Sequence, residues 1–326
     1  MSDEAHTTST EVDATADDET PGDPGDDRPT VLVTAGTGTV GRHVVAALTD
    51  DPVDLRVASR DPTRARKTLA DDGHVEASET ALDAVEFVAF DLDRPETYYP
   101  TLDGVDRLFL VRPPAVSRVE RDLFPFVDAA ARMGVDHVVF LSVLGAEKNP
   151  LLPHRRVESH LADLPVTTTN LRASFFCQNL LTTHRREVAR GEIAVPAGDG
   201  ETSFVDARDV AAVAGRALAD PATHRDAAYD VTGPAALTYA AFADALSTAL
   251  DREIRYTNPS LPRFVWRRVR AGDPLGFAVV TAGIYTTARL GLAGRVSDDT
   301  EAVLGRPPRS VEAFAADYAD AFRDER

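Results

Sequence analysis

Residues 30–45, TVLVTAGTGTVGRHVV, constrain this chain more than any other stretch. Val31, Leu32 and Val33 form a short apolar run that reads as a buried strand. The run passes through Ala35-Gly36-Thr37-Gly38-Thr39-Val40-Gly41 into a helical pattern carried by Val44, Val45 and Leu48. Glycine in such a turn lets the chain reverse tightly, lets a pyrophosphate approach the backbone without meeting a Cβ, and lets helix and strand pack closely. The helix N-terminus then offers unpaired N–H groups and a positive dipole end to the phosphates. A lone G-x-G-x-x-G is weak, but here it lies between a strand pattern and a helix pattern at the start of the folded region, the context the motif requires. Gly36, Thr37, Gly38, Thr39, Val40 and Gly41 are therefore candidate cofactor-binding residues.

The next segments extend the same logic. Leu55–Ser59 reads as a second strand ending at Arg60. A carboxylate at this place binds the ribose 2′-OH of NAD, whereas an arginine suits the 2′-phosphate of NADP, so Arg60 points to NADP(H) over NAD(H). Asp61 is a complication, because it takes the NAD role if the strand ends one residue later. Val85–Phe90 is the third strand; at its carboxyl end Asp91 can contact the adenine, or equally cap the loop, and Leu92 can cover the ring. Leu108–Val111 is a fourth, doubly buried strand, broken by Arg112-Pro113-Pro114, with Arg112 a further cofactor candidate. A helix over Leu123–Met133 leads to a fifth strand, His137–Leu141, followed by Ser142, and Val166–Leu171 reads as a sixth. Strands alternating with helices predict an α/β fold, a doubly wound parallel (Rossmann) sheet with a smaller C-terminal α/β lobe. The expected organisation is an acidic, disordered tail over 1–28, a dinucleotide-binding domain over 29–175, and an interleaved substrate and lid lobe over 176–326.

Composition limits partners and setting. The 326 residues, 43 % hydrophobic, suffice for one large α/β unit with a lobe. The single cysteine, Cys177, excludes an intrachain disulfide framework and a cysteine-based zinc cluster, no metal site is expected, and the Phe175-Phe176-Cys177 setting suits a buried inert thiol. Neither an apolar run of about 18 residues nor a signal h-region is visible, so a cytoplasmic protein is expected. With a net charge of −18 and only two lysines, Lys67 and Lys148, the surface repels nucleic acid and resembles that of salt-accumulating halophiles.

The strings VLVTAGTGTVGRHVV, VDRLFLVRPP, GVDHVVFLSVLGAEKN, PHRRVESHL, NLRASFFCQNL and GRPPRSVEAFAADYADAF together resemble the NmrA-like family of atypical short-chain dehydrogenases/reductases. The resemblance runs from about residue 30 to the C-terminus and is thinnest between 258 and 300. It implies a Rossmann domain whose smaller lobe closes over NAD(P)H, in a reductase or a redox-sensing regulator. It also implies that Phe175 packs near the nicotinamide and that Asn179 lines the substrate cleft, with Ala173 replacing the usual proline. Ala35 stands where relatives usually have glycine.

Complete short-chain dehydrogenases use Ser, then Tyr-x-x-x-Lys, and this chain has no Tyr-x-x-x-Lys. Counting from Ser142 puts His154 at the tyrosine's place and Glu158 at the lysine's. His154 can serve as proton donor, with Glu158 on the same helical face orienting it or raising its pKa; alternatively these are solvated charges at a helix start. Hydride transfer to a quinone needs positioning more than a protein acid. The expected activity is therefore reduction of a quinone or similar electron-poor small molecule by NADPH. The alternative is a non-catalytic NADP(H) sensor acting on a regulatory protein partner, and a homodimer is possible for either. Asp209 is expected to cap a helix over Val210–Leu218. Arginines and apolar residues interleave over 258–300, with an apolar stretch from Leu275 to Leu292; such a stretch can mark a membrane surface or an acidic partner, but in a chain this acidic it reads more simply as a lid over the substrate cleft, with no membrane partner.

Overall fold

Seven parallel strands form the central sheet of the computed structural model, which describes residues 28–75 and 77–323. The acidic tail expected over 1–28 lies outside the described residues apart from Arg28. The strands are β1 (Thr30–Thr34), β2 (Asp54–Ser59), β3 (Glu86–Ala89), β4 (Arg107–Val111), β5 (His137–Val143), β6 (Thr167–Ala173) and β7 (Ala227–Val231). Their spatial order is β7-β6-β5-β4-β1-β2-β3. The order reverses direction at β1, between β4 and β2, so the crevice beyond the carboxyl ends of β1 and β4 is where a doubly wound sheet binds its ligand.

Side-chain alternation assigns the two faces. Val31 and Val33 of β1, Phe109 of β4 and Val139 of β5 enter one apolar layer with α1 (Gly41–Leu48), α2 (Pro62–Ala70) and the long helix Ala207–Ala219. Leu32, Leu108, Leu110, Val138 and Phe140 enter the other, against α3 (Phe124–Arg132) and α4 (Pro153–Ala162). Both faces are covered, which is why these strands read as continuous apolar runs. The helix Ala207–Ala219, here α5, and β7 return from the C-terminal half to complete the sheet layer, so the two halves of the chain interleave.

A third cluster gathers C-terminal aromatics. Phe204, Tyr239, Phe242, Phe264, Tyr285 and Phe314 are buried together, between α6 (Tyr239–Leu250), α7 (Leu261–Arg270), α8 (Leu275–Arg289) and the terminal helices. Cys177 is buried in this cluster, and burial pushes its thiol pKa up. No helix among the described residues is long and apolar enough to cross a membrane.

Two local expectations change, at Asp209 and Leu123, and the C-terminal string GRPPRSVEAFAADYADAF folds as two short helices. α5 begins at Ala207, and its cap is Asp206, whose carboxylate accepts from the backbone N–H of Arg208 at 2.9 Å. Asp209 instead lies in the first turn, fully buried, accepting from Arg306 at 2.8 Å and from the Arg309 backbone N–H at 2.6 Å. The terminal helix is interrupted at Tyr318, leaving Val311–Asp317 and Ala319–Arg323. The helix expected from Leu123 is preceded by a separate turn over Val119–Asp122.

Candidate functional site

The turn after β1 is closed by the N–H of Gly38 donating to Ala35 O at 2.8 Å. Its glycines are required by the protein's own packing. A Cβ on Gly36 would sit 2.6 Å from Val57 Cγ1 on β2, and one on Gly41 only 2.2 Å from the Ala35 carbonyl oxygen. The close helix–strand packing expected of the motif is thus present. Ala35 itself holds φ at +53°, the left-handed region that glycine occupies freely. Val40 occupies the N-cap position of α1 without a side-chain cap; the N–H groups of Arg42 and His43 donate to Gly38 O and Val40 O at 3.2 and 2.9 Å, so an outside acceptor would meet the N–H groups ahead of them in the turn. Thr37 is exposed and Thr39 half-buried beside it.

At the end of β2, Arg60 is exposed and has no ion-pair partner among the described residues. The Asp61 carboxylate caps α2, accepting from the N–H of Arg64 at 3.0 Å. Beyond β3, the Asp91 carboxylate accepts from Asp93 N–H at 3.1 Å, the loop-cap alternative, while Leu92 is half-buried with its carbonyl held by Tyr98 Oη at 2.6 Å.

Beyond β4 and β5 the residues expected to act together separate into two groups. Arg112 donates from Nε to His154 Nε2 at 3.2 Å and from its terminal nitrogen to the carbonyls of Pro113 and Val116, at 3.0 and 2.6 Å. Burial first, then the Arg112 charge, lower the His154 pKa to about 4, against a weaker raising effect of Glu158. The imidazole is therefore neutral near pH 7, with Nε2 an acceptor and the proton on Nδ1. That is not the protonation state of the expected proton donor. Glu158 does not orient His154 by a hydrogen bond. It is only 3 % exposed and accepts from Ser142 Oγ at 2.6 Å and from Arg172 Nε and Nη2 at 3.1 and 2.9 Å. Ser142, 1 % exposed, thus points into a buried ion pair, and its partner Arg172 has its pKa raised by the bonds to Glu158.

This pair continues into a charged network that sequence reasoning did not find. Glu147 lies 3.8 Å from Arg172 and accepts from Arg295 at 2.9 Å; Arg295 also pairs with Asp230 at 2.9 Å. Six residues from four stretches, Ser142, Glu147 and Glu158 in one and Arg172, Asp230 and Arg295 in the others, meet near the carboxyl ends of β5, β6 and β7, and no local spacing records that meeting. Arg295 also lines a cavity of about 980 Å³ with Asn258, Arg289, Glu201 and Asp199. Phe175, half-buried, bridges to the aromatic cluster with its ring 6.0 Å from Phe204 and 5.8 Å from Tyr285. Phe176 packs on the sheet layer and Asn179 is half-buried nearby in sequence.

Residues 27–271 match the NmrA-like family. Over 296 residues the chain is 33 % identical to the NAD(P)H azoreductase of Xenophilus azovorans, covering 90 % of this chain and 99 % of that protein. It is 26 % identical over 286 residues to quinone oxidoreductase 2 of Escherichia coli (strain K12), with 86 % and 96 % covered. The crystal structure of a Citrobacter sp. triphenylmethane reductase complexed with NADP(H) superposes with a TM-score of 0.75 at 23 % identity, over 89 % of this chain and 99 % of that one.

Proposed function

Because the chain belongs to the NmrA-like family, we propose that it is an NAD(P)H-dependent reductase that prefers NADPH and reduces a quinone or a similar electron-poor small molecule. The observation that carries this reading is the pairing of an uncapped α1 behind the Gly36–Gly41 turn with the exposed, unpaired Arg60 at the end of the neighbouring strand. The residues present fit the cofactor. Backbone N–H groups of Thr37, Thr39, Val40 and Gly41 would hold the pyrophosphate, Arg60 the 2′-phosphate, and Asp91 and Leu92 the adenosine. Arg112 and Phe175 would border the nicotinamide.

When bound, the cofactor supplies a hydride, that is, two electrons and one proton. The chain's own residues position and shield. Arg112 keeps a fixed positive charge beside the neutral His154, favouring negative charge as it develops on the acceptor oxygen. With His154 neutral and Ser142 turned to Glu158, the second proton comes from water, which is sufficient for an acceptor that yields a stabilised oxyanion. A second reading, a non-catalytic NADP(H) sensor with a protein partner, draws on the same closure of Ser142 onto Glu158.

The test is titration of the purified protein with NADPH and NADH by nicotinamide fluorescence, beside Arg60→Ala, followed by a quinone panel. Tight NADPH binding weakened in the variant, then oxidation on adding quinone, is the expected result. Binding without oxidation by any acceptor moves the assignment to the sensor, and absence of binding overturns the cofactor assignment.

A further inference from the structure

The outer surface of α7 and α8 differs from the rest of the molecule in both polarity and charge. On α8 the exposed side chains are Leu275, Phe277, Val279, Val280, Ile284 and, just past its end, Leu290, with Leu275 and Val280 each 63 % exposed. At about 100° per residue these positions, with the exposed Gly276, Gly283 and Thr287 between them, sweep about 200° of the helix circumference. No charged residue occurs from Pro274 to Ala288. The buried remainder, Ala278, Thr281, Ala282, Tyr285 and Ala288, suffices to seat the helix on the aromatic cluster. Trp266, 60 % exposed, and Val269 extend the apolar surface onto α7.

Charge singles out the same face. In a chain of formal charge −18, residues 261–297 hold six arginines and one acidic residue, Asp273; Arg267, Arg268 and Arg295 are paired with Glu192, Asp273, and Glu147 and Asp230, which leaves Arg263, Arg270 and Arg289 as the exposed charges beside the apolar surface. Arg263 and Arg270 are exposed, and the Arg270 guanidinium lies 5.6 Å from the centre of the Trp266 ring. Arginine beside an exposed tryptophan, at the border of a wide apolar half-cylinder, is the arrangement by which an in-plane helix enters the headgroup boundary. A second copy of the chain fits less well. A second copy would have to cover an apolar arc of about 200° on α8, wider than the stripe a helix ordinarily buries against one partner, and would gather the exposed Arg263 and Arg270 of both protomers at one interface with no acidic residue of 261–297 left to pair with them.

We propose that α7 and α8 dock this protein onto an anionic phospholipid bilayer, lying in the interface without crossing it. With a net charge of −18 the molecule as a whole is repelled by such a surface, so an arginine-bordered apolar face favours this orientation of approach. The cavity of about 980 Å³ is lined by Arg289, Gly291 and the exposed Leu292, where α8 ends, so it adjoins that end of the docked face. An acceptor dissolved in the bilayer would reach the cavity from that side, a corollary that rests on the reductase reading; the docking itself does not.

Full-length protein is floated with vesicles of phosphatidylcholine containing about 30 mol % phosphatidylglycerol, and with phosphatidylcholine alone, while tryptophan emission is recorded. Trp266 is the chain's only tryptophan, so its emission reports this face directly. Docking gives co-flotation with the anionic vesicles, binding about tenfold weaker to the neutral ones, and a blue-shifted emission. Val280→Glu/Ile284→Glu changes two water-facing side chains and abolishes both signals; Arg263→Ala/Arg270→Ala weakens anionic binding about tenfold. Folding of each variant is checked by circular dichroism. Absence of flotation and of an emission shift in the folded protein overturns the proposal. So does a dimer in sedimentation that Val280→Glu/Ile284→Glu splits while vesicles stay unbound. Oxidation of NADPH by a water-soluble quinone, followed in the same samples, separates failure of docking from failure of the reductase reading.

Discussion

Arg112 Nε donates to His154 Nε2 across 3.2 Å, so this ring nitrogen accepts and carries no proton. With the His154 pKa held down to about 4 by burial and by the Arg112 charge, the imidazole stays neutral across the neutral range. The rate of quinone reduction should therefore show no inflection near the ordinary histidine pKa of about 6.5. His154→Gln, which keeps an acceptor for Arg112, should lower kcat/KM by less than about threefold, whereas loss of a general acid costs about a hundredfold or more. The pH–rate profiles of both proteins check this.

Glu158 and Ser142 should affect stability rather than chemistry. Glu158 is buried between Ser142 Oγ and the Arg172 guanidinium, and removing it leaves that largely buried cation with only Glu147, 3.8 Å away, as counter-charge. Glu158→Ala is expected to destabilise by about 3 kcal/mol. Ser142→Ala, which removes one hydrogen bond to a charged acceptor, should cost about 1.5 kcal/mol. Chemical denaturation measures both, and Ser142→Ala should keep its turnover; a large fall in kcat without a change in stability would return Ser142 to the reacting atoms.

The sheet was legible in the sequence because strands buried on both faces carry continuous apolar runs, as at Val31–Val33 and Leu108–Val111, and because the glycine turn requires a helix directly after β1. The partners of the charged residues were not legible. The four-residue spacing of His154 and Glu158 suggests a pair on one helical face, yet each is taken by a residue from another strand end, Arg112 and Arg172. Asp206 and Asp209 both fit the start of α5. They are separated by Arg306 and Arg309, about a hundred residues away, which claim Asp209 for the C-terminal arm. The apolar character of Leu275–Leu292 was visible, but not which side of that helix faces water.

Ala35 offers a test of the glycine turn. Its φ of +53° costs an L-residue about 1–2 kcal/mol, and the side chain is exposed, so nothing in the packing offsets that cost. Ala35→Gly removes the strain and adds back about 0.5–1 kcal/mol of chain entropy, leaving a net gain of about 0.5–1 kcal/mol and a rise in Tm of about 1–2 °C. Gly36→Ala should destabilise strongly through Val57 Cγ1, 2.6 Å from the new Cβ, and Val57→Ala should restore part of the loss. Additive effects in that double-mutant cycle would mean that Gly36 is not fixed by contact with β2.

Acid should weaken the fold through its buried histidines. His43 and His137 are 6 % and 0 % exposed, and burial lowers each pKa from about 6.5 to about 4. Above pH 6.5 neither the folded nor the unfolded chain holds these protons, and the groups contribute no pH dependence. Between about pH 6.5 and 4 the unfolded chain binds them and the folded chain does not, so each imidazole withdraws up to about 1.4 kcal/mol per pH unit, levelling off below the folded pKa. His43 isolates the effect, because its Nε2 is buried without a hydrogen-bond partner among the described residues, so an apolar replacement breaks no bond at that atom. His43→Leu should lie within about 1 kcal/mol of the parent at pH 8 and exceed it by about 2 kcal/mol at pH 5. Urea denaturation at the two pH values measures the difference; an equal offset at both would mean that His43 takes up its proton in the folded state.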